Sequence, residues 1–236
     1  YDFLIVHCNF QLRGEESELD EIFVKNLGVK YKAKVEVKRF ETERYAADNK
    51  LSIQEAARNL RYAWFAELIR LTNQSSSESG EPGVKSESSE SIVDCQLPIA
   101  YCLTAHHSDD NAETVLMNFF RGTGLHGLTG IPEKSGYIRR PLLSFSKEEL
   151  LAFAKENKLD FVEDSSNLSS KYTRNYFRNE LIPAITKVYP QVKENLQDNI
   201  GRFKEIEKLY RLSVDGIIKN LSKAKGKEIH IPVKQL

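Results

Sequence analysis

Short apolar runs alternate with longer segments of helical period along this chain, and that alternation limits the folds open to it. Phe3–Cys8 (FLIVHC) reads as a buried strand. Glu15–Leu27 places Leu19, Ile22, Phe23 and Leu27 at helical spacing, and Ala33–Val37 alternates as a second strand. Ser52 and Glu55 form a capping box that opens a long helix with Ala56, Leu60, Ala63, Trp64 and Ile69 along one face. Ile99–Ala105 reads as a strand running into a helix that starts at Asp109 or Asp110 and reaches Phe120. Tyr137–Leu143 reads as a strand, and Ser146 with Glu149 opens another helix, to about Asn157. Phe161-Val162 reads as a short strand, Tyr172–Leu181 and Gln191–Asn220 as helices, and Glu228–Val233 as an isolated strand. The rhythm predicts an α/β fold, a mainly parallel sheet with helices on both faces. Ligands in such sheets bind beyond the carboxyl ends of the strands, which singles out His7–Gly14 and Thr104–Glu113.

Residues 73–98 interrupt the alternation with eight serines and a Gly-Glu-Pro-Gly run. They hold too little apolar surface to offset their ordering entropy, so a mobile surface insertion is expected. The chain as a whole is 40% hydrophobic and 10% aromatic, enough for a core. No apolar run approaches the ~18 residues of a membrane span. Cys8, Cys95 and Cys102 stand in no metal-ligand or CxxC spacing, so neither a disulfide scaffold nor a zinc site is expected, and a reducing cytoplasm is. Tyr1 opens the sequence and the single methionine is Met117, so a preceding segment is expected.

The 34 basic and 34 acidic residues cancel, but unevenly. Residues 171–236 hold 14 basic against 7 acidic residues, net +7. Such an end suits a polyanionic partner, or is a solvated lysine-rich face.

Three constellations carry chemistry. His106-His107-Ser108-Asp109-Asp110, with Glu113 one helical turn after Asp110, packs imidazoles and carboxylates into a strand-to-helix junction. It can hold magnesium or an ammonium group, deprotonate an amine, or simply cap the helix. Arg58 and Arg61 lie three apart on the long helix, and Arg174 and Arg178 four apart, as phosphate grips or as surface charges. Glu163-Asp164-Ser165-Ser166-Asn167 reads as a turn or a cap.

Taken in order, these pieces resemble the bacterial tRNA(Ile)-lysidine synthases of the N-type ATP pyrophosphatase (PP-loop) superfamily. The resemblance rests on His7–Ser17, Glu55-Ala-Ala-Arg58-Asn-Leu-Arg61-Tyr62, Ala105-His106-His107-Ser-Asp109-Asp110-Asn-Ala-Glu113-Thr114, Arg121-Gly122-Thr-Gly124-Leu-His-Gly127, Arg140-Pro141, Glu163–Asn167 and Arg174-Asn175-Tyr-Phe-Arg178. It implies an adenine nucleotide alpha hydrolase-like fold. Residues 1–187 would be the catalytic domain and 188–236 the start of a helical tRNA-binding domain. The implied reaction adenylates C2 of the wobble cytidine, position 34, of a tRNA(Ile) with a CAU anticodon. Free L-lysine then displaces AMP. ATP and magnesium are the implied cofactors, and a homodimer without membrane contact the implied state.

Residue by residue, the resemblance assigns Asp110 and Glu113 to the lysine amine. Arg58, Arg61, Arg174 and Arg178 fall to phosphate and transition-state charge. His7, Asn9, His106, Arg121 and Gly122 fall to the nucleotide, and Asp109 with Asp110 to magnesium. The family's SGGxDS phosphate loop does not occur in these 236 residues and is expected ahead of Tyr1. Two other readings remain. One is a tRNA thiolase of the same superfamily, which would use paired cysteines. The other is a tRNA-binding remnant without catalysis.

Overall fold

A computed structural model describes residues 3–78, 100–165, 173–225 and 228–230, with side chains between 74 and 78 and beyond 222 left aside. Most of the serine-rich segment, Asn167 and residues 231–233 lie outside this description. The chain divides into two compact units, Tyr1–Cys102 and Leu103–Leu236.

In the first unit, β1 (Leu4–Asn9) and β2 (Lys34–Arg39) pair in parallel, residue for residue from Leu4↔Lys34 to Asn9↔Arg39. Helix α1 (Glu15–Tyr31) makes the crossover. It stops where Lys32 turns left-handed at φ 52° and Ala33 N–H reaches the Gly28 carbonyl at 2.9 Å. Any side chain at Gly28 would strike Val35, so the glycine lets helix and strand close together. The face α1 buries is not the apolar one expected. Ser17, Glu21 and Gly28 are buried, while Leu19 and Ile22 stand 64% and 54% exposed. The polar face turns inward because Asn9 and Arg39, at the ends of the two strands, hydrogen-bond to it.

Helix α2 (Thr42–Asn49) follows β2 and was not apparent in the sequence. The buried Thr42 hydroxyl donates to the Phe10 carbonyl at 2.9 Å. Helix α3 (Ile53–Glu78) opens on the expected capping box, with Glu55 N–H on Ser52 Oγ and Ser52 N–H on the Glu55 carboxylate. The unit's core is Phe40, Ala46, Ala56 and Trp64, extended by the Phe10–Phe40 stack at 5.6 Å.

The second unit begins on β3 (Cys102–Leu103), the edge of a three-stranded sheet. β5 (Ile138–Arg139) is its centre and β4 (Lys134–Ser135) its antiparallel outer member. Helix α4 (Ser108–Arg121) leaves this edge, and the short α5 (Leu125–Leu128) follows. At Gly130, φ 72°, a Cβ would collide with the Asn111 amide, whose Oδ1 accepts Ile131 N–H at 2.6 Å. Helix α6 (Lys147–Glu156) opens on the second capping box as expected. Phe161 and Val162 form no strand, and both stand about half exposed.

The helix expected to end at Leu181 instead runs on in three pieces: α7 (Thr173–Tyr176), a π-helical turn (Phe177–Leu181) and α8 (Ile182–Val188). Pro183 explains the wide turn, since it lacks an N–H and crowds the carbonyl four residues before it. Helix α9 (Val192–Leu221) packs on α4, α5 and α8, and β6 (Lys223–Lys225) and β7 (Glu228–His230) form a final hairpin. The last strand is therefore paired rather than isolated. Among the described residues of this unit, Ala112, Val115, Ile138, Leu143, Phe177, Ile182 and Ile200 are the buried apolar side chains. No helix among the described residues is long and apolar enough to cross a membrane.

Candidate functional site

The first turn of α4 gathers the charges of the second unit. His107 precedes the helix, and its N–H donates to Asp110 Oδ2 at 3.0 Å. The other oxygen, Oδ1, accepts from Arg178 Nη2 at 3.0 Å. One carboxylate thus caps the helix with one oxygen and meets an arginine with the other. Glu113, one turn on, is 1% exposed. It accepts from Arg174 Nε at 2.8 Å and from Arg178 Nε and Nη2 at 2.6 and 3.0 Å. Arg174 Nη2 also donates to the Asp110 carbonyl and to Thr114 Oγ1. The π turn carries Arg178 and α7 carries Arg174, so the widened helix places both forks on one carboxylate. Burial disfavours the charge on Arg178, but Glu113 and Asp110 outweigh it and raise its pKa.

Asp109 turns the other way. His107 lies 3.5 Å from it, Lys147 N–H donates to it at 2.8 Å and Lys193 Nζ at 2.7 Å. These groups hold its carboxyl well below the usual range despite its burial. Beside the cluster opens a cleft of about 1050 Å³, whose lining includes His107, Asp109, Glu113, Lys147, Arg178 and Lys193. His106 lies at the same strand end, its Nδ1 3.0 Å from Thr104 Oγ1.

The magnesium expectation fits this arrangement poorly. Asp109 and Asp110 diverge, each already bound to a cation, and no three His, Cys, Asp or Glu side chains converge as a metal nest among the described residues. Magnesium commonly takes one or two carboxylates plus substrate phosphates, and no preformed protein cage for it is present among the described residues. Arg121 and Gly122 are not brought to the cluster either. They close the far end of α4, about 17 Å along the helix from Asp110 at 1.5 Å per residue. Gly122, φ 81°, is the residue that ends the helix.

In the first unit, Asn9 is buried and fully engaged. It is 2% exposed, and its amide donates to the Ser17 carbonyl and Glu21 while accepting Gln11 N–H at 3.0 Å. Its hydrogen bonds tie β1 to α1, so it braces the strand. His7 is half-buried, and burial lowers its pKa. Arg58 and Arg61 are exposed, the first stacked over Tyr62 and the second over Phe10 at 5.0 and 5.2 Å. Burial pushes the Cys8 thiol up to about 11, against the pull of Arg61.

Sequence reasoning missed Lys193 and Gln197. Gln197 Nε2 donates to the Ser108 carbonyl at 2.7 Å. Both sit in a lysine-rich helix more than eighty residues from their partners, and nothing in their spacing announces the contact.

A family model described as the PP-loop domain matches residues 94–185. The chain is 37% identical to the tRNA(Ile)-lysidine synthase of Bacteroides thetaiotaomicron over 91% of its own length and 45% of that protein's. It is 36% identical to the enzyme of that name from Chlorobaculum tepidum (87% of this chain, 56% of that one). To that of Bacillus licheniformis it is 32% identical (88% and 39%). The chain thus spans about half the length of the curated relatives it matches. Among solved structures it is similar to a U34-tRNA thiolase, NcsA, from Methanococcus maripaludis. The TM-score is 0.54 at 14% identity, covering 86% of this chain and 63% of that one, which establishes a shared fold.

Proposed function

We propose that this chain, whose residues 94–185 match the PP-loop domain, serves a tRNA-modifying ligase joining lysine to C2 of the wobble cytidine of tRNA(Ile), with AMP and pyrophosphate released. One observation carries the reading: the buried Glu113 gripped by Arg174 and Arg178, with Asp110 alongside. Two stretches of sequence on which the resemblance rests, some sixty residues apart, meet in that cluster.

ATP supplies the AMP that makes the cytosine O2 a leaving group. The chain's own residues then have two tasks. Arg174 and Arg178 offer forked N–H donors to phosphate oxygens, where charge accumulates. Asp110 and Glu113 hold the lysine ammonium and accept the proton it must lose before attack. The two carboxylates and two guanidinium groups balance in charge. An ammonium ion is therefore accommodated only when an anion takes a share of the arginines, which the phosphates of ATP provide. That requirement favours nucleotide before lysine.

Magnesium would accompany ATP in this reading and offset the charge of its phosphates. The basic end of the chain, net +7 over residues 171–236, faces the tRNA, with residues 188–236 opening a tRNA-binding domain. A cytoplasmic location and a homodimer accompany the reading. The thiolase alternative lacks support, because the three cysteines stand in no paired spacing and the thiolase likeness is one of fold. The test is to incubate the purified protein with ATP, magnesium, labelled lysine and unmodified tRNA(Ile). Label should move to the tRNA only when ATP is present, and its absence from the tRNA would sink the reading.

A further inference from the structure

We infer that Lys193 is a positioning residue: its ion pair with Asp109 fixes the His106–Glu113 turn, and so sets how tightly Asp110 and Glu113 hold the lysine amine. The inference rests on the ligase reading for its substrate, but its geometry stands on the second unit alone. Asp109 is the point where three segments meet. Its Oδ2 accepts the N–H of Lys147, where α6 begins, and its Oδ1 accepts from Lys193 on α9. Ser108, its neighbour, is held on both sides of its peptide unit. Its N–H donates to the Phe145 carbonyl at 2.8 Å, and its own carbonyl accepts from Gln197, one helical turn after Lys193. Helix α9 therefore grips two consecutive residues of the turn that carries Asp110, although both gripping side chains lie beyond the matched PP-loop region.

The adjacency of Asp109 and Asp110 makes the grip chemically necessary. Freed of Lys193, Asp109 would be an under-compensated carboxylate beside the one that receives the substrate ammonium, and would compete for it. Its side chain is only 15% exposed, so water would replace the ammonium incompletely. The turn would also lose one of its anchors to α9, and sub-ångström shifts of binding groups are enough to weaken a substrate contact.

The test compares Lys193→Met and Lys193→Arg in the purified protein. Lys193→Met should raise the KM for lysine about tenfold while the KM for ATP stays within about twofold, and Lys193→Arg should restore most of the loss. Amide exchange over residues 106–113 should quicken about tenfold in the Met variant, which is read without any turnover. An unchanged KM for lysine, with or without faster exchange, would leave the pair a structural brace and overturn the proposal. A lowered KM would overturn it too, since Lys193 would then be occupying the substrate's own place. Should the unaltered protein transfer no lysine, the ligase reading falls by itself, and the exchange measurement alone decides whether Lys193 fixes the turn.

Discussion

Among the described residues each compact unit sinks one glutamate, and Glu113 lines a cleft. Glu21 is 3% exposed and Glu113 is 1% exposed. Both are neutralised by two cations: Glu21 by Lys25 and Arg39 at 2.7 and 3.0 Å, Glu113 by Arg174 and Arg178 at 2.8 and 2.6 Å. Burial with paired charges is therefore no mark of function. The partners differ. Lys25 and Arg39 keep 57% and 50% of their side chains in water; Lys25 pairs within α1, and Arg39 joins β2 to the helix. Arg174 and Arg178 are exposed by 36% and 23% and share their forks with Asp110 and its carbonyl, and Arg178 lines the cleft. In the proposed reading, a glutamate whose cations can also receive a second anion is a site. One whose cations are solvated is a brace.

Substitutions at matched positions test that contrast. The largest effect is expected from Glu113→Gln, which should lower lysine transfer to tRNA about a thousandfold, whereas Glu21→Gln should change it less than about twofold. Equal losses would erase the distinction. Next, Arg178→Lys should cost about a hundredfold in the same assay because an ammonium cannot span Glu113 and Asp110 together, while Arg39→Lys should leave turnover nearly intact.

The brace should show itself in stability instead. Asn9→Ala removes the amide that joins β1 to α1 and should destabilise the protein by about 1–3 kcal/mol in urea titration, without raising the KM for ATP. The smallest effect concerns acid. Its hydrogen bonds to Arg39 and Lys25 hold Glu21 at about 2, against an ordinary 4.5. The stability this contributes is complete above the ordinary value and is lost as pH falls from about 4.5 toward about 2. In Glu21→Gln that part of the acid slope should be missing when denaturation midpoints near pH 6 and pH 3 are compared. A slope as steep as in the unaltered protein would show that Glu21 is not a brace of this kind.

Local signals were legible because their partners are neighbours in the chain. Both serine-glutamate capping boxes form across three residues, and the parallel pairing of β1 with β2 follows from the strand-helix-strand order. The apolar spacing of α1 misled for the same reason. Leu19 and Ile22 keep helical spacing, yet which face turns inward was settled by Asn9 and Arg39 on the strands.

The sequence by itself determined the alternating α/β plan, the helix starts and the motifs whose joint order points to a PP-loop enzyme. It also determined which residues in the first turn of α4 carry charge. Only the tertiary structure decided how those charges are shared. Asp110 and Asp109 are consecutive, but one serves Arg178 and the other Lys193, and partners 68 and 84 residues away have no period or spacing that could encode the choice. The choice belongs to the packing of α9 against α4 and to the π turn before Pro183, which set the reach of each side chain.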